Sequence, residues 1–332
     1  MKAMVTGGGG FLGRSIVDKL LSRGDDVRIL GRSDYPDLKR RGVVCIKADV
    51  ADRDAVLKSC KGIDVVFHTA AIAAIWGRPD DFYGTNVKGT QNVIDACIEN
   101  GVKKLVYTSS PSVVYDGKDQ IDIDEDTPYP DKYLALYPKT KAEAEKSVIG
   151  ANGRGGLFTV SLRPHLIWGP GDTNLIPRLI DRARSGKLAI VGDGKNMVDT
   201  VYVDNAADAH LSAAQRLEEG SAVAGSRYFI TQGEPVNCWE WINEILAGFG
   251  LPPVKKRISL NAAYAIGAAM ETFYKVFGVY SEPRMTRFLA SQLATSHTYN
   301  IDRAKKELGY FPAVSTDQGM KALKADKRLS GR

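Results

Sequence analysis

The tightest constraint in this chain is a run of glycines set between a strand-like and a helix-like segment. Thr6-Gly7-Gly8-Gly9-Gly10-Phe11-Leu12-Gly13 follows the short apolar run Ala3-Met4-Val5 and opens a stretch to Ser22 whose apolar residues recur at helical spacing. A strand can turn into a helix within so few residues only where side chains are missing. Gly7 allows the tight turn, Gly10 lets backbone N–H groups approach an anion, and Gly13 allows the helix to pack closely on the strand. Phe11 and Leu12 then begin a helix whose N-terminus carries unpaired donors and a partial positive charge. The G-x-x-G-x-x-G spacing, a variant of the dinucleotide fingerprint, predicts a pyrophosphate cradle.

The rest of the first 110 residues repeats this strand–helix alternation, with β-type runs at Val27 to Leu30, Val43 to Lys47, Val65 to Phe67 and Leu105 to Tyr107, and a helix from Val87 to Glu99. The predicted fold is α/β: a doubly wound parallel sheet of Rossmann type, with ligands at the carboxyl ends of its strands. Past residue 163 the alternation loosens into helices (175–185, 204–217, 238–249) with few strands. Residues 1–163 are read as the dinucleotide-binding domain, with segments near 188–230 returning to it. Residues 164–187 and 231–332 are read as an interwoven, smaller and mostly helical substrate lobe.

Composition narrows the function classes. Forty-five Lys and Arg against 39 Asp and Glu give a net charge of +6, which suits an anionic ligand. The basic residues are dispersed and lack interleaved aromatics, so nucleic acid is not an expected partner. The four cysteines show no C-x-x-C spacing and the four histidines no i, i+4 pairing. No metal site is expected, and the thiols are expected to stay reduced in the cytoplasm. The N-terminus reads as a core strand rather than a leader. The stretch from Leu260 to Val279 is broken by Asn261, Glu271 and Lys275, and reads as a surface or lid helix rather than a membrane span.

Two further stretches carry chemistry. Where an NAD-selective site places a carboxylate after the second strand, this chain has Gly31-Arg32-Ser33; a guanidinium and a hydroxyl there suit a 2′-phosphate, so NADP is expected over NAD. Asp49, in Ala48-Asp49-Val50 after the third strand, can accept from an adenine amino group or cap a helix. Tyr137-Pro138-Lys139-Thr140-Lys141 places a phenol at a helix start, because Pro138 is tolerated only in the first turn, with Lys141 one turn later on the same face. A nearby ammonium lowers the pKa of a phenol and makes it a usable acid–base at neutral pH. Tyr107-Thr108-Ser109-Ser110 ends a strand upstream and can bring a hydroxyl to the same carbonyl.

Together these motifs resemble the extended short-chain dehydrogenase/reductase family over nearly the whole chain. Further matches are Thr69-Ala70-Ala71, Asn86-Val87-Lys88-Gly89-Thr90, Arg163-Pro164, Gly169-Pro170-Gly171-Asp172, Tyr202-Val203-Asp204 and Leu308-Gly309-Tyr310. The resemblance implies Tyr137 as acid–base, Lys141 as its electrostatic partner and ribose ligand, and Ser110 as carbonyl donor with Ser109 as runner-up. It also implies cofactor contacts from Val50, Ala70, Asn86 and Pro164, and a homodimer. Val198 precedes Asp199 where nucleotide-sugar members carry an Arg. The chain is more similar to the 3β-hydroxysteroid dehydrogenase-type subgroup, and within it to bacterial reductases of olefin biosynthesis. That likeness implies NADPH-dependent reduction of a long-chain 2-alkyl-3-oxo acid to the 3-hydroxy acid. A hydroxysteroid or sterol dehydrogenase is the alternative, and a noncatalytic NADP-binding sensor or scaffold a second one. For the substrate, Trp76, Trp168 and the stripe Tyr264, Met270, Phe273, Tyr274, Phe277 are candidate apolar walls, while Arg284 and Arg287 are candidate carboxylate ligands. Other pathway enzymes or a membrane surface are candidate partners.

Overall fold

The computed structural model describes residues 1–326. Its main sheet has seven parallel strands: β1 (Lys2–Thr6), β2 (Asp26–Gly31), β3 (Val44–Lys47), β4 (Val65–His68), β5 (Lys104–Thr108), β6 (Phe158–Pro164) and β7 (Arg227–Ile230). Their order is β7-β6-β5-β4-β1-β2-β3, so the winding direction reverses between β1 and β4. Side chains alternate across a strand, and β1 feeds both faces. Ala3 and Val5 enter one core with α1 (Phe11–Ser22), whereas Met4 enters the other with α2 (Arg53–Ser59), α3 (Gly89–Glu99) and α4 (Leu136–Gly150). Covering on both faces explains why the central strands read as continuous apolar runs.

A third core gathers Trp168, Trp239, Trp241, Ile242 and Ile245 with α5 (Leu175–Arg184). Helix α6 (Val203–Arg216) packs instead on α1, and β7 closes the sheet edge beside β6. Longer helices further along the chain are α7 (Cys238–Gly248), α8 (Leu260–Val276), α9 (Arg287–Ala294) and α10 (Thr316–Lys324).

Two features differ from the sequence reading. The helix expected from Val87 is entered by a π-helical turn, Tyr83–Lys88. The region past residue 163 also holds more β structure than expected. Gln120–Ile123, His297–Tyr299, Met197–Val198 and Val236–Asn237 form a second sheet, and Arg257–Ile258 pairs with Ile190–Val191, which lies inside the strand that the apolar run 188–191 predicts. The other strands are two to four residues long and find partners far along the chain, so they leave no local periodicity to read. No helix among the described residues is long and apolar enough to cross a membrane.

Candidate active site

The reversal between β1 and β4 leaves an opening at their carboxyl ends, and the glycine turn sits in it. Gly7 has φ +69°; its N–H donates to the Leu30 carbonyl at 2.8 Å, and the Gly10 N–H donates to the Gly7 carbonyl at 2.8 Å. A Cβ at Gly13 would lie 2.3 Å from that same Gly7 oxygen, so close packing of turn on helix requires glycine. A Cβ at Gly10 would lie 3.2 Å from the Gly7 oxygen, and Gly10 lies on the wall of both cavities described next.

The first cavity, about 240 Å³, lies at the ends of β1 to β4, and its wall includes Arg32, Ser33, Asp49, Val50 and Ala70. Asp34 is turned away, toward Lys39 at 3.7 Å and Lys47 at 3.5 Å. The carboxylate that would oppose a 2′-phosphate is therefore engaged elsewhere. Asp49 accepts from the Ala51 N–H at 2.9 Å while remaining on the wall. Sequence reasoning missed Tyr35. Its ring occupies the space a Cβ on Gly9 would need, and it closes this pocket; the surplus glycine in the run was the available signal.

The second cavity, about 410 Å³, shares Gly7, Gly10, Thr69 and Ala71 with the first, so the two form one trough. Phe11, Leu12, Gly13, Ser110, Tyr137, Lys141 and Pro164 all reach its wall. Helix α4 starts after the extended residue Ala135, which puts Tyr137 and Pro138 in its first turn. Ser110 is extended, and its Oγ accepts from the Ser112 N–H at 3.2 Å and lies 2.9 Å from the Ser112 Oγ. Ser109 also borders the cavity, but it is buried and its N–H continues the sheet, donating to the Leu162 carbonyl at 2.6 Å. Ser112, like Phe288 and Gln292 from α9, lines the cavity although the sequence reading assigns none of the three a site role.

The electrostatics differ from expectation in one respect. Lys141 Nζ donates to the Thr108 carbonyl at 2.5 Å and lies 4.1 Å from the centre of the Tyr107 ring, rather than being held by the Tyr137 phenol. Burial pushes Lys141 down to about 7, against the pull of Glu145 in the other direction. Burial also raises Tyr137, and the Ser110 hydroxyl opposes that rise. One turn on, buried Glu145 accepts from Arg163 at 2.6 Å, Ser161 at 2.7 Å and Tyr129 at 2.7 Å. Burial raises the Glu145 carboxyl, but the Arg163 guanidinium and the hydroxyl donors around it together hold the group below its ordinary value.

Several expected site residues lie elsewhere. Asn86 is buried off the trough wall: its amide receives the Ile72 N–H at 2.8 Å and donates to the Ile72 carbonyl at 3.1 Å and to Thr140 Oγ1 at 3.0 Å. It ties the loop after β4 to α4. Trp168 does not line a substrate channel; it is wholly buried in the third core, packed on Tyr202 and Trp241 and donating to Thr200 Oγ1 at 3.1 Å. Arg284 is exposed and borders neither cavity. Arg287 borders the third cavity described next but already has an anion, because it donates from Nε and a terminal nitrogen to the buried Glu271 carboxylate at 2.9 and 2.7 Å. Trp76 does line a third, adjoining cavity of about 480 Å³ between α8 and the start of α4, which meets the second at Ile75.

The four cysteines are free thiols. His68 bridges Thr6 and Thr90 and is pushed down to about 3 by burial, with the Lys141 charge adding to the effect. No group of three or more His, Cys, Asp or Glu among the described residues could hold a metal ion.

Residues 4–261, which include the glycine turn, Ser110, Tyr137 and Lys141, match the 3-beta hydroxysteroid dehydrogenase/isomerase family. The chain belongs to that family. It is an NAD(P)-dependent oxidoreductase of the extended short-chain dehydrogenase/reductase type. The noncatalytic reading is thereby set aside. Among its relatives in the family, the 2-alkyl-3-oxoalkanoate reductases of Stenotrophomonas maltophilia and Shewanella oneidensis are 48% and 45% identical, covering 98% and 97% of this chain and 99% and 85% of theirs. The human sterol-4-alpha-carboxylate 3-dehydrogenase, decarboxylating, is 35% identical over 96% of this chain and 86% of its own. The solved structure of gox2253 superposes with a TM-score of 0.80 at 27% identity, covering 99% of this chain and 98% of the other. MoeE5 in complex with UDP-glucose and NAD does so with a TM-score of 0.78 at 24% identity over both full chains, a likeness of fold.

Proposed function

We propose that this enzyme reduces a long-chain 2-alkyl-3-oxoalkanoate to the 2-alkyl-3-hydroxyalkanoate with NADPH. The observation that carries the reading is the convergence of Ser110, Tyr137 and Lys141 on one cavity that runs into the glycine turn at one end and meets an apolar chamber at the other. The dinucleotide fits the trough where Gly10 presents backbone without a side chain and where Arg32 and Ser33 stand clear of Asp34. Bound there, it supplies the hydride. Ser110 orients the substrate carbonyl, and Tyr137 donates the proton to its oxygen. A phenol raised by burial stays protonated at neutral pH, which is the state an acid requires. Lys141, held between the Thr108 carbonyl and the Tyr107 ring, stabilises the phenolate that remains.

The names of the relatives support a substrate class. An oxo group at carbon 3 beside a carboxylate-bearing carbon is common to a 2-alkyl-3-oxoalkanoate and to the 3-oxo product of a sterol-4-carboxylate dehydrogenase. Two hydroxyls 2.9 Å apart, Ser110 and Ser112, match two oxygen functions on neighbouring positions. Ser112 therefore takes the carboxylate, a task Arg287 is not free to do. Ile75, Trp76, Leu134 and Val279 wall the chamber for an alkyl chain. A neutral 3-oxosteroid is the second reading, favoured by the engagement of Arg287 with Glu271, which leaves that guanidinium unavailable to a carboxylate.

NADPH oxidation is to be measured with a long-chain 2-alkyl-3-oxo acid, its methyl ester and a 3-ketosteroid, on wild type and Ser112→Ala. The acid should turn over best and should lose about tenfold in the variant, as expected for one lost hydrogen bond to a charged group, while the ester changes little. Preferred turnover of the steroid overturns the oxo-acid reading and leaves the reductase chemistry standing.

A further inference from the structure

Helix α8 is inverted relative to an ordinary surface helix. Such a helix buries its apolar stripe and shows charge to water. Here the buried side holds Ala263, Gly267 and the carboxylate of Glu271, and Gly267 abuts the backbone of Thr286 and Arg287 so tightly that a Cβ would lie 2.6 Å from it. The outward side carries Ile266, Phe273, Val276 and Phe277, continued by Tyr280. Phe273 is 55% exposed, Val276 73% and Phe277 66%. Scattered single apolar residues are ordinary on a protein surface, whereas a contiguous patch marks an interaction face.

We infer that this face docks on an anionic lipid bilayer, with α8 lying in the plane of the interface. Charge selects the occupant. Between residues 260 and 290 the anions are Glu271 and Glu282; Arg287 engages the first, and Arg178 and Arg182 the second. Lys275 and Arg284 have no ion-pair partner among the described residues, so the uncompensated charge of the segment that carries the patch is positive. A second copy docking through the same face would set these cations against themselves, whereas anionic headgroups pair with them. The outward side also offers few fixed donors or acceptors, which a specific protein interface needs and a bilayer does not.

The patch is continuous with the chamber behind it. Tyr274, Lys275, Gly278, Val279 and Tyr280 belong to α8 or its end and also line the 480 Å³ cavity that meets the trough at Ile75. A long alkyl chain leaving the bilayer enters the chamber along the helix without crossing water. This route rests on the proposed substrate class; the docking itself does not.

The test is flotation of the full-length protein, without substrate, with vesicles of phosphatidylglycerol and of phosphatidylcholine. Wild type should float with phosphatidylglycerol and at least tenfold less with phosphatidylcholine. Phe273→Ser/Phe277→Ser and, separately, Arg284→Glu should each lower the bound fraction at least fivefold, with the thermal midpoint and NADPH affinity unchanged, since these side chains face solvent. Absence of wild-type flotation overturns the inference, as does unchanged flotation of the double variant. So does lipid-independent self-association that the double variant abolishes, which would make the face a contact between copies. Loss of the oxo-acid reading with flotation intact would remove only the substrate route.

Discussion

The two ends of the trough are built differently. The end at the glycine turn comes from short consecutive stretches, 7–13, 31–35 and 48–50, and much of what it presents is backbone held by strand register. The end at Tyr137 is assembled from the β5 terminus, the first turn of α4, the residues after β6 and α9, and what it presents is side chains. At the first end residue identity is dictated by local geometry. At the second it is dictated by chemistry and by partners distant in the chain, so it can be re-specified without disturbing the sheet.

The largest expected effect lies at the second end. Tyr137→Phe should lower turnover by about a hundredfold or more, the scale of a lost general acid, while a thermal shift on adding NADPH shows that the first end still binds. Turnover close to wild type would remove the assignment. At the first end, Arg32→Ala should weaken NADPH by roughly ten- to a hundredfold and leave NADH nearly unchanged, since a charge-assisted contact contributes about 1.5 to 3 kcal/mol. Calorimetric titration of both cofactors decides it, and equal losses would mean that Arg32 does not read the 2′-phosphate.

Arg287→Ala sharpens the comparison by separating wall from scaffold. It leaves the buried Glu271 carboxylate without its guanidinium, and with Arg287 partly exposed the cost should be about 1–2 kcal/mol in urea unfolding. The acid-to-ester rate ratio should not change; if it collapses, Arg287 binds substrate after all. The smallest effect is a stability signature of Lys141. Its folded pKa of about 7 lies below the ordinary 10.5, so between those values the unfolded chain binds more protons and wild-type stability rises with pH. Lys141→Met removes that dependence. The variant should melt a few degrees above wild type at pH 6 and lose the advantage toward pH 10, even though it is inactive; a gain independent of pH would contradict the buried charge.

The same division explains what the sequence made legible. The glycine spacing, the apolar strands and the Pro138 position each state a local backbone requirement, and the sheet, the turn and the start of α4 follow from them. Trp168, Arg284 and Arg287 were legible only as residue types. Whether an aromatic faces a channel or Tyr202 and Trp241, and whether a guanidinium is free or engaged by a carboxylate sixteen residues earlier, depends on packing that no short window contains. Most of the two-residue strands were silent for the same reason. Tyr35 was missed because a ring filling the space beside a glycine has no periodicity.

The position of β7 has a consequence for the order in which the molecule can assemble. Strand β6 lies one strand in from the edge of the finished sheet, yet its outer neighbour is not synthesised until residue 230, after the chain has left to build α5 and α6. Throughout that interval the nascent protein presents the unpaired N–H and C=O groups of Phe158–Pro164 along an apolar edge, the kind of template that recruits foreign strands. The late arrival of β7 makes its pairing a long-range and therefore slow closing step.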